Sequence, residues 1–548
     1  MTTQRIVLSS LASCSEGHKR WSRRPAPSNP MHSFLLAALA SCLAVGQAAA
    51  QSGADARAAA RRHREANEAK ILREFSALLS LPNVASNRED IRRNADHLMA
   101  MLRQRGATAQ ILEVPDAPVS VYGEIRAPGA TRTIVLYAHF DGQPVDPRQW
   151  QGAPFTPVLR DKALYQGGQD IPFPAGGQRT DREWRIYARS ASDDKGSIIA
   201  MLTALDAMRA ANMTPSVNVK FFFEGEEEAG SGHLQAILEK YRDLLRADAW
   251  LFCDGPVHQS GRLQAVFGLR GVVGLELTVY GPTRPLHSGH YGNWAPNPGA
   301  LIANLISSMR DDDGRVKIAG FYDDVRPITA VERSALGALP PVDSALRASL
   351  GLARTESGNA MLAERIMVPA LNVRGIRVGG VQETGANVIS TEAFASFDIR
   401  LVPVQIPRRV QDAIERHIAA QGYHIVREAP DSATRARHPK IARVEWESGY
   451  PAQRAAMDGD FARALLAALS DGAAQPPLAV PTLGGSGPGY LFTEVLGAPV
   501  VTLPLANYDN NQHAANENLR LGNLWDGIEM YSALLTQLGR AWSARVVP

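Results

Sequence analysis

The apolar positions of this chain follow two periods that succeed one another in an ordered way. Residues 51–70 are rich in Ala, Arg and Glu. Ile71, Phe75, Leu78 and Leu79 then recur at helical spacing until Pro82 stops the run. A second helix is expected from about Glu89 to Arg105. Strand-like runs follow, QILEV, YGEIRA and TIVLYAHF, the last almost continuously apolar, as a strand covered on both faces must be. A helix (SIIAMLTALDAMRAA), a strand (NVKFFFEG), a helix (HLQAILEKYRDLL) and a strand (AWLFCDG) come next. This alternation predicts an α/β fold with a mostly parallel sheet.

After Asp254 the texture changes. GLELTVYG, VPALNVRGI and AFASFDIRLVP read as strands, and PGALIANLISSM and RRVQDAIERHIAAQ as helices. Then FARALLAALS, APVVTLPL and NLWDGIEMYSALLTQL resume the first texture. The expected organisation is one α/β domain, at 51–264 and 444–548, interrupted by an inserted α+β domain at 265–443. Residues 166–183, QGGQDIPFPAGGQRTDRE, are expected to form a long loop. No internal repeat is visible.

The first 50 residues stand apart. RWSRR precedes the apolar FLLAALASCLAV, which is too short to span a bilayer, and Ala48, Ala49 and Ala50 offer a small-residue cleavage site. The expectation is a signal peptide at 1–50 and export to the periplasm or beyond. Two alternatives stay open: a start at Met31, and lipidation of Cys42 in Leu39-Ala40-Ser41-Cys42. The formal charge of the chain is +3, and removing the +4 of residues 1–50 leaves the rest at −1. Nothing in that balance points to nucleic acid or an anionic membrane. Only Cys253 survives cleavage of the leader, so no thiolate cluster can hold a metal.

Chemistry concentrates at strand ends. His139 and Asp141 end TIVLYAHFD, Asp193 precedes a helix, FFFEGEEEAGSGH packs Glu224, Glu226, Glu227 and Glu228 behind a strand, Asp254 ends WLFCD, and His513 follows APVVTLPL. Open α/β sheets bind ligands at the carboxyl ends of their strands. Each piece alone has a plain structural reading: a satisfied histidine, a helix cap, a solvated acidic turn. Together they form an imidazole–carboxylate set suited to Zn²⁺, or to Mn²⁺ or Co²⁺.

These residues resemble the co-catalytic zinc metallopeptidases that include carnosine dipeptidase, glutamate carboxypeptidase, aminoacylase and succinyl-diaminopimelate desuccinylase. AHFDG, ARSASDDKG, EGEEEAGS, CDG, LHSGHYG, GGSGP and HAANENL stand in that family's order, over roughly residues 70–540. The resemblance implies two divalent metals. Asp193 would bridge them, His139 and Asp254 would complete one site, and Glu228 and His513 the other. Asp141 would orient His139, and Glu227 would be the general base. It also implies that the inserted domain is a lid and dimerisation domain. There His287 would reach the partner subunit's site, Arg400 would hold the substrate carboxylate and Asn387 would donate to its carbonyl. Gly485 and Ser486 would line the cleft. Glu224 and Glu226 carry no implied role.

The implied activity is hydrolysis of dipeptides or short peptides with a free carboxylate by a homodimer. Leu483 stands where dipeptidases of the family often carry an acid, and EWESGYP lacks a histidine of the carnosine-type enzymes. An N-acyl amino acid amidohydrolase or a carboxypeptidase on the same site is therefore an open alternative, as is a non-catalytic metal-binding relative.

Overall fold

The structure, a computed structural model, describes residues 51–542 apart from residue 359. The expected leader, with Cys42 and the cleavage site after Ala50, lies outside the described residues. Helix Gly53–Leu79 opens on Ser52, whose hydroxyl accepts from the Asp55 N–H while the Asp55 carboxylate accepts from the Ser52 N–H. Its apolar stripe, Leu72, Phe75, Leu78 and Leu79, is fully buried. A second helix, Arg88–Gln104, follows.

The main sheet has eight strands, in the order Thr108–Leu112, Ser120–Ile125, Asn218–Glu224, Thr133–His139, Ala249–Phe252, Val500–Thr502, Gln264–Val266 and Leu478–Val480. Its middle, from Asn218–Glu224 across to Val500–Thr502, is parallel. Thr133–His139 is apolar from Ile134 to Ala138, and both its faces are covered. Ile134, Leu136 and Ala138 enter one core, against helices Gly53–Leu79, Lys195–Ala210 and Leu521–Ala541. Val135 and Tyr137 enter another, with Phe222, Trp250, Phe252 and Phe492. Full burial of such side chains contributes about 1.5–3 kcal/mol each, which holds the strand ends in fixed register.

A second sheet of five strands runs Ala370–Arg377, Glu392–Leu401, Gly271–Tyr280, Ile441–Trp446, His424–Val426. Glu392–Leu401 alternates strictly, with Ala393, Ala395, Phe397, Ile399 and Leu401 inward. Helices Pro298–Met309 and Pro407–Ala420 close a separate core over it. The change of texture after Asp254 is thus a change of sheet, at slightly different points from those expected. Gln264–Val266 still belongs to the main sheet, and Ile441–Trp446 completes the small one.

The stretch 166–183 is not wholly loop. Asp170–Ile171 pairs with Leu159 and Arg160 at the edge of a small sheet that also holds Arg185–Tyr187 and Asn518–Arg520. The rest folds onto helix Gly53–Leu79, where the Thr180 N–H donates to Glu68 and Arg179 pairs with Glu65. Strands of two or three residues leave no periodicity to read. Among the described residues no helix is long and apolar enough to cross a membrane.

The inserted segment is tied to the main sheet by helix Ala330–Gly337. Its Glu332 accepts from Arg326 and, at 3.0 Å, from Arg454. Burial raises the Glu332 pKa, but the Arg326 bonds, the Thr329 N–H and the Arg454 charge outweigh it and bring it down to about 2. The folded value lies below the ordinary 4.5, so this stability is full above that pH and is lost as pH falls through about 2. Urea denaturation of wild type and Glu332→Gln should therefore show a stability gap near neutral pH that closes across this acid range. A gap independent of pH would contradict the ion-pair account.

Candidate metal centre

Register brings the chemistry together. His139 is the last residue of its strand and lies level with Glu224 on the neighbouring one. Cys253 donates its N–H to the Tyr137 carbonyl, so Asp254 emerges at the same height. The chain after Val500–Thr502 brings back His513, in a left-handed conformation (φ 60°). Asp193 and Asp194, joined by a cis peptide bond, precede helix Lys195–Ala210.

Asp193 stands between the two imidazoles. Its Oδ1 is 2.8 Å from His139 Nε2, and its Oδ2 is 3.2 Å from His513 Nε2. His513 Nε2 also lies 3.1 Å from Glu228 Oε2, which accepts from Gln143 at 2.8 Å. The potential ligand atoms fall into two groups, each within 4.8 Å: His139 with Asp194 and Asp254, and Asp193 with Glu228 and His513. The first group contains Asp194, to which the sequence reading assigned no part in the metal set. Its side chain makes no capping bond, and both its oxygens are buried without a partner.

Asp141 does more than face His139. Its carbonyl lies 3.2 Å from His139 Nδ1 and its Oδ1 3.4 Å. The same carboxylate accepts the Glu227 N–H at 3.1 Å and the Glu228 N–H at 3.0 Å, so it sets the turn on which both glutamates ride. The other two glutamates are engaged elsewhere: Glu224 accepts from the Tyr137 hydroxyl at 2.7 Å, and Glu226 holds His233 at 2.8 Å.

This pocket is electrostatically unbalanced. Burial pushes the Glu227 and Asp194 carboxyls well above the usual range, and burial with the Asp193 charge brings Asp254 up to about 7. Bonds to Asp193 and Glu228 raise His513 to about 10, and His139 is held well above its ordinary value against the opposing effect of burial. An Asp254 oxygen is also buried without a hydrogen-bond partner. Buried carboxylates need protons, paired cations or metal. Oxygen and imidazole donors without thiolate fit Zn²⁺, Mn²⁺ or Co²⁺.

A residue that sequence reasoning missed holds the loop beneath. Glu517 is wholly buried and accepts from Arg189 Nη1 (2.8 Å), from the N–H groups of Ser190, Ser192 and Asp193, and from the Ser192 hydroxyl. The signal lay in HAANENL, but its partners are more than 300 positions away. Lys195, buried and lowered by that burial to about 7, donates to the carbonyls of Leu78 and Leu81, which ties helix Gly53–Leu79 to the same loop.

The remaining expected residues form two further sites. Arg400 donates to Asp398 at 3.0 Å and to the Ser486 hydroxyl at 2.7 Å, and Ser486 shares a cavity wall with Glu227. Gly485 is exposed, and its carbonyl accepts the Arg270 N–H. A Cβ there would meet nothing, so open space alone does not require glycine. His287 and Asn387 lie together at a separate two-stranded ribbon, Leu286–His287 with Val388–Ile389, where the Asn387 carbonyl accepts the Ser288 N–H and His287 pairs with Val388. His287 is exposed, and neither it nor Asn387 joins the two ligand groups of this chain.

The fold and this carboxylate–imidazole arrangement are those of a metal-dependent peptidase. The chain is 26% identical to human Beta-Ala-His dipeptidase over 440 residues, 78% of each chain. It is 25% identical to the Cys-Gly metallodipeptidase dug1 of Schizosaccharomyces pombe over 483 residues, 85% of this chain and 94% of that one. The crystal structure of the M20 family metallo-carboxypeptidase Sso-CP2 from Sulfolobus solfataricus superposes with a TM-score of 0.68 at 28% identity, covering 86% of this chain and 99% of that one. Human carnosine dipeptidase 1 shares the fold, with a TM-score of 0.67 at 22% identity and 88% and 98% coverage. The chain belongs to peptidase family M20/M25/M40, whose family model matches residues 135–537.

Replacing Glu517 by Ala leaves Arg189, itself buried, without its partner and frees the N–H groups that Glu517 holds. Breaking a buried pair of this kind costs about 3–5 kcal/mol. Chemical denaturation of Glu517→Ala should show that loss, and a loss below about 1 kcal/mol would remove Glu517 from the support of this loop.

Proposed function

We propose that this protein is a two-metal dipeptidase that hydrolyses the amide bond of dipeptides or short peptides bearing a free carboxylate. The observation that carries the reading is Asp193 set between His139 and His513, with unbalanced buried carboxylates around it. The names of the relatives in the same family support the substrate class.

In this reading Asp193, with His139 and Asp254 on one side and Glu228 and His513 on the other, would hold two divalent cations, zinc or else manganese or cobalt. Asp194 lies within reach of the first group, but Asp193 is the residue that would serve both, because its two oxygens face both imidazoles. When bound, such a pair supplies Lewis-acid polarisation of the scissile carbonyl and acidifies a water. Glu227 does the proton work: its carboxylate takes a proton from water and delivers it to the leaving nitrogen. Asp141 keeps Glu227 and Glu228 at their stations through their N–H groups. Arg400 presents a guanidinium to the substrate carboxylate. Exposed at the two-stranded ribbon, His287 and Asn387 serve the site of a second copy in a homodimer, where His287 steadies the developing oxyanion.

A second reading has one observation in its favour. Leu483 packs against the cluster of Val266, Leu478 and Val480, so no acid stands at that position before Gly484 to receive a free amine. An N-acyl amino acid amidohydrolase or a carboxypeptidase would suit that surface. Rates on free dipeptides should exceed those on N-acetyl amino acids and N-blocked peptides, and the reverse order selects the second reading.

Glu227→Gln should retain bound metal and lose about 10²–10⁴ in kcat. Near-normal turnover would remove Glu227 from the mechanism. Mixing Glu227→Gln with His287→Ala chains should restore activity that neither has alone, because a mixed dimer regains one intact site. Failure of complementation in verified mixed dimers would return His287 to its own chain.

A further inference from the structure

Beside Glu227 lies a cavity of about 150 Å³ to which the proposed mechanism assigns no part of the substrate. Tyr450, Ser486, Pro488, Tyr490 and Leu491 line it with Glu227. The Tyr450 and Tyr490 rings stack with centroids 5.4 Å apart and planes inclined by 7°. Different elements fix the two rings. Tyr450 exchanges backbone hydrogen bonds with Val272, and Tyr490 stands in helix Gly489–Leu496, whose Leu491 and Phe492 enter the aromatic core behind the main sheet. Neither phenol hydroxyl makes a hydrogen bond among the described residues, so the rings are held by stacking and by their backbones. Their faces are an apolar wall with a polar rim.

We propose that this cavity is the specificity pocket for the side chain of the released, carboxyl-terminal residue, and that it selects a benzyl or branched aliphatic group. The inference rests on the dipeptidase reading and names its substrate class. Glu227 and the two tyrosines line the cavity and Arg400 is joined to it through Ser486, and these three match the non-hydrogen substituents of one α-carbon. Glu227 serves the leaving nitrogen. Arg400, bonded to the Ser486 that lines the cavity, receives the carboxylate. The remaining substituent, the side chain, is left facing Tyr450 and Tyr490. A cavity of about 150 Å³ is the size that takes up a benzene molecule. A phenyl ring can stack on the tyrosine wall, and an isobutyl group fills the same space. Glycine leaves it empty, and an indole exceeds it.

The test uses the full, metal-loaded chain and compares kcat/KM for Ala-Phe, Ala-Leu, Ala-Gly and Ala-Trp. Wild type should favour Ala-Phe and Ala-Leu over Ala-Gly by about tenfold or more, the range a filled apolar pocket provides. Ala-Trp should be poor. Tyr490→Ala should collapse the Ala-Phe to Ala-Gly ratio towards one, mainly through KM, and relieve the exclusion of Ala-Trp. Tyr490→Phe keeps the ring and should keep the ratio. If Tyr490→Ala fails to fold by circular dichroism, Tyr450→Ala gives the same readout from the other ring. Equal rates on Ala-Phe and Ala-Gly in wild type, or a ratio unchanged in the alanine variants, overturns the assignment. If wild type cleaves no dipeptide but does cleave N-acetyl amino acids, the dipeptidase reading falls. The ratio of acetyl-Phe to acetyl-Gly then decides the pocket separately.

Discussion

Carboxylates crowded into a dry pocket repel one another unless positive charge stands among them, and the carboxyl ends of the central strands converge on such a pocket. Two imidazoles are too few to balance the acids around them. Oxygens of Asp194 and Asp254 are left buried without partners, and burial drives Glu227 towards its neutral form. The rest of the architecture reads as a means of holding this unfavourable arrangement in place. Glu517 spends its hydrogen-bonding capacity on the loop that carries Asp193, and Asp141 does the same for the turn that carries Glu227 and Glu228. Both are carboxylates whose own charge is met by N–H donors, so they add rigidity without competing for the cations the reading calls for.

What could be read in the sequence followed from physical range. Long elements announce themselves by period, so the alternation up to Asp254 and the change of texture after it located both sheets. The strand ends that carry the potential ligands were legible because an apolar run that stops at a His or Asp is a local event. Asp194 was left out of the metal set because the observation that points to it, burial of both its oxygens without a partner, leaves no local pattern. Glu517 was quoted in a motif but given no task, since its partners on the Arg189–Asp193 loop are local to it only in space. The edge pairing of Asp170–Ile171 is too short to leave a pattern.

The acidic stretch after Phe223 resolves into separate tasks. Glu224 faces inward to the Tyr137 hydroxyl, Glu226 closes its own turn through His233, and only Glu227 and Glu228 point at the centre. The cleft continues from Glu227 through the tyrosine pair to Ser486 and Arg400. In the proposed reading, hydrolysis and selection meet along a single wall. The five-stranded sheet supplies Arg400, while His287 and Asn387 lie at a separate two-stranded ribbon and join neither ligand group of this chain.

The central claim is that this cluster exists to hold a pair of divalent cations. It is tested most directly by stripping the full chain with a chelator, then titrating Zn²⁺ back with calorimetry and elemental analysis while following the melting temperature. The account predicts two ions per chain, one for each ligand group, and a melting temperature that rises with occupancy. Protein that binds none of Zn²⁺, Mn²⁺ or Co²⁺, with a melting temperature indifferent to all three, would contradict it.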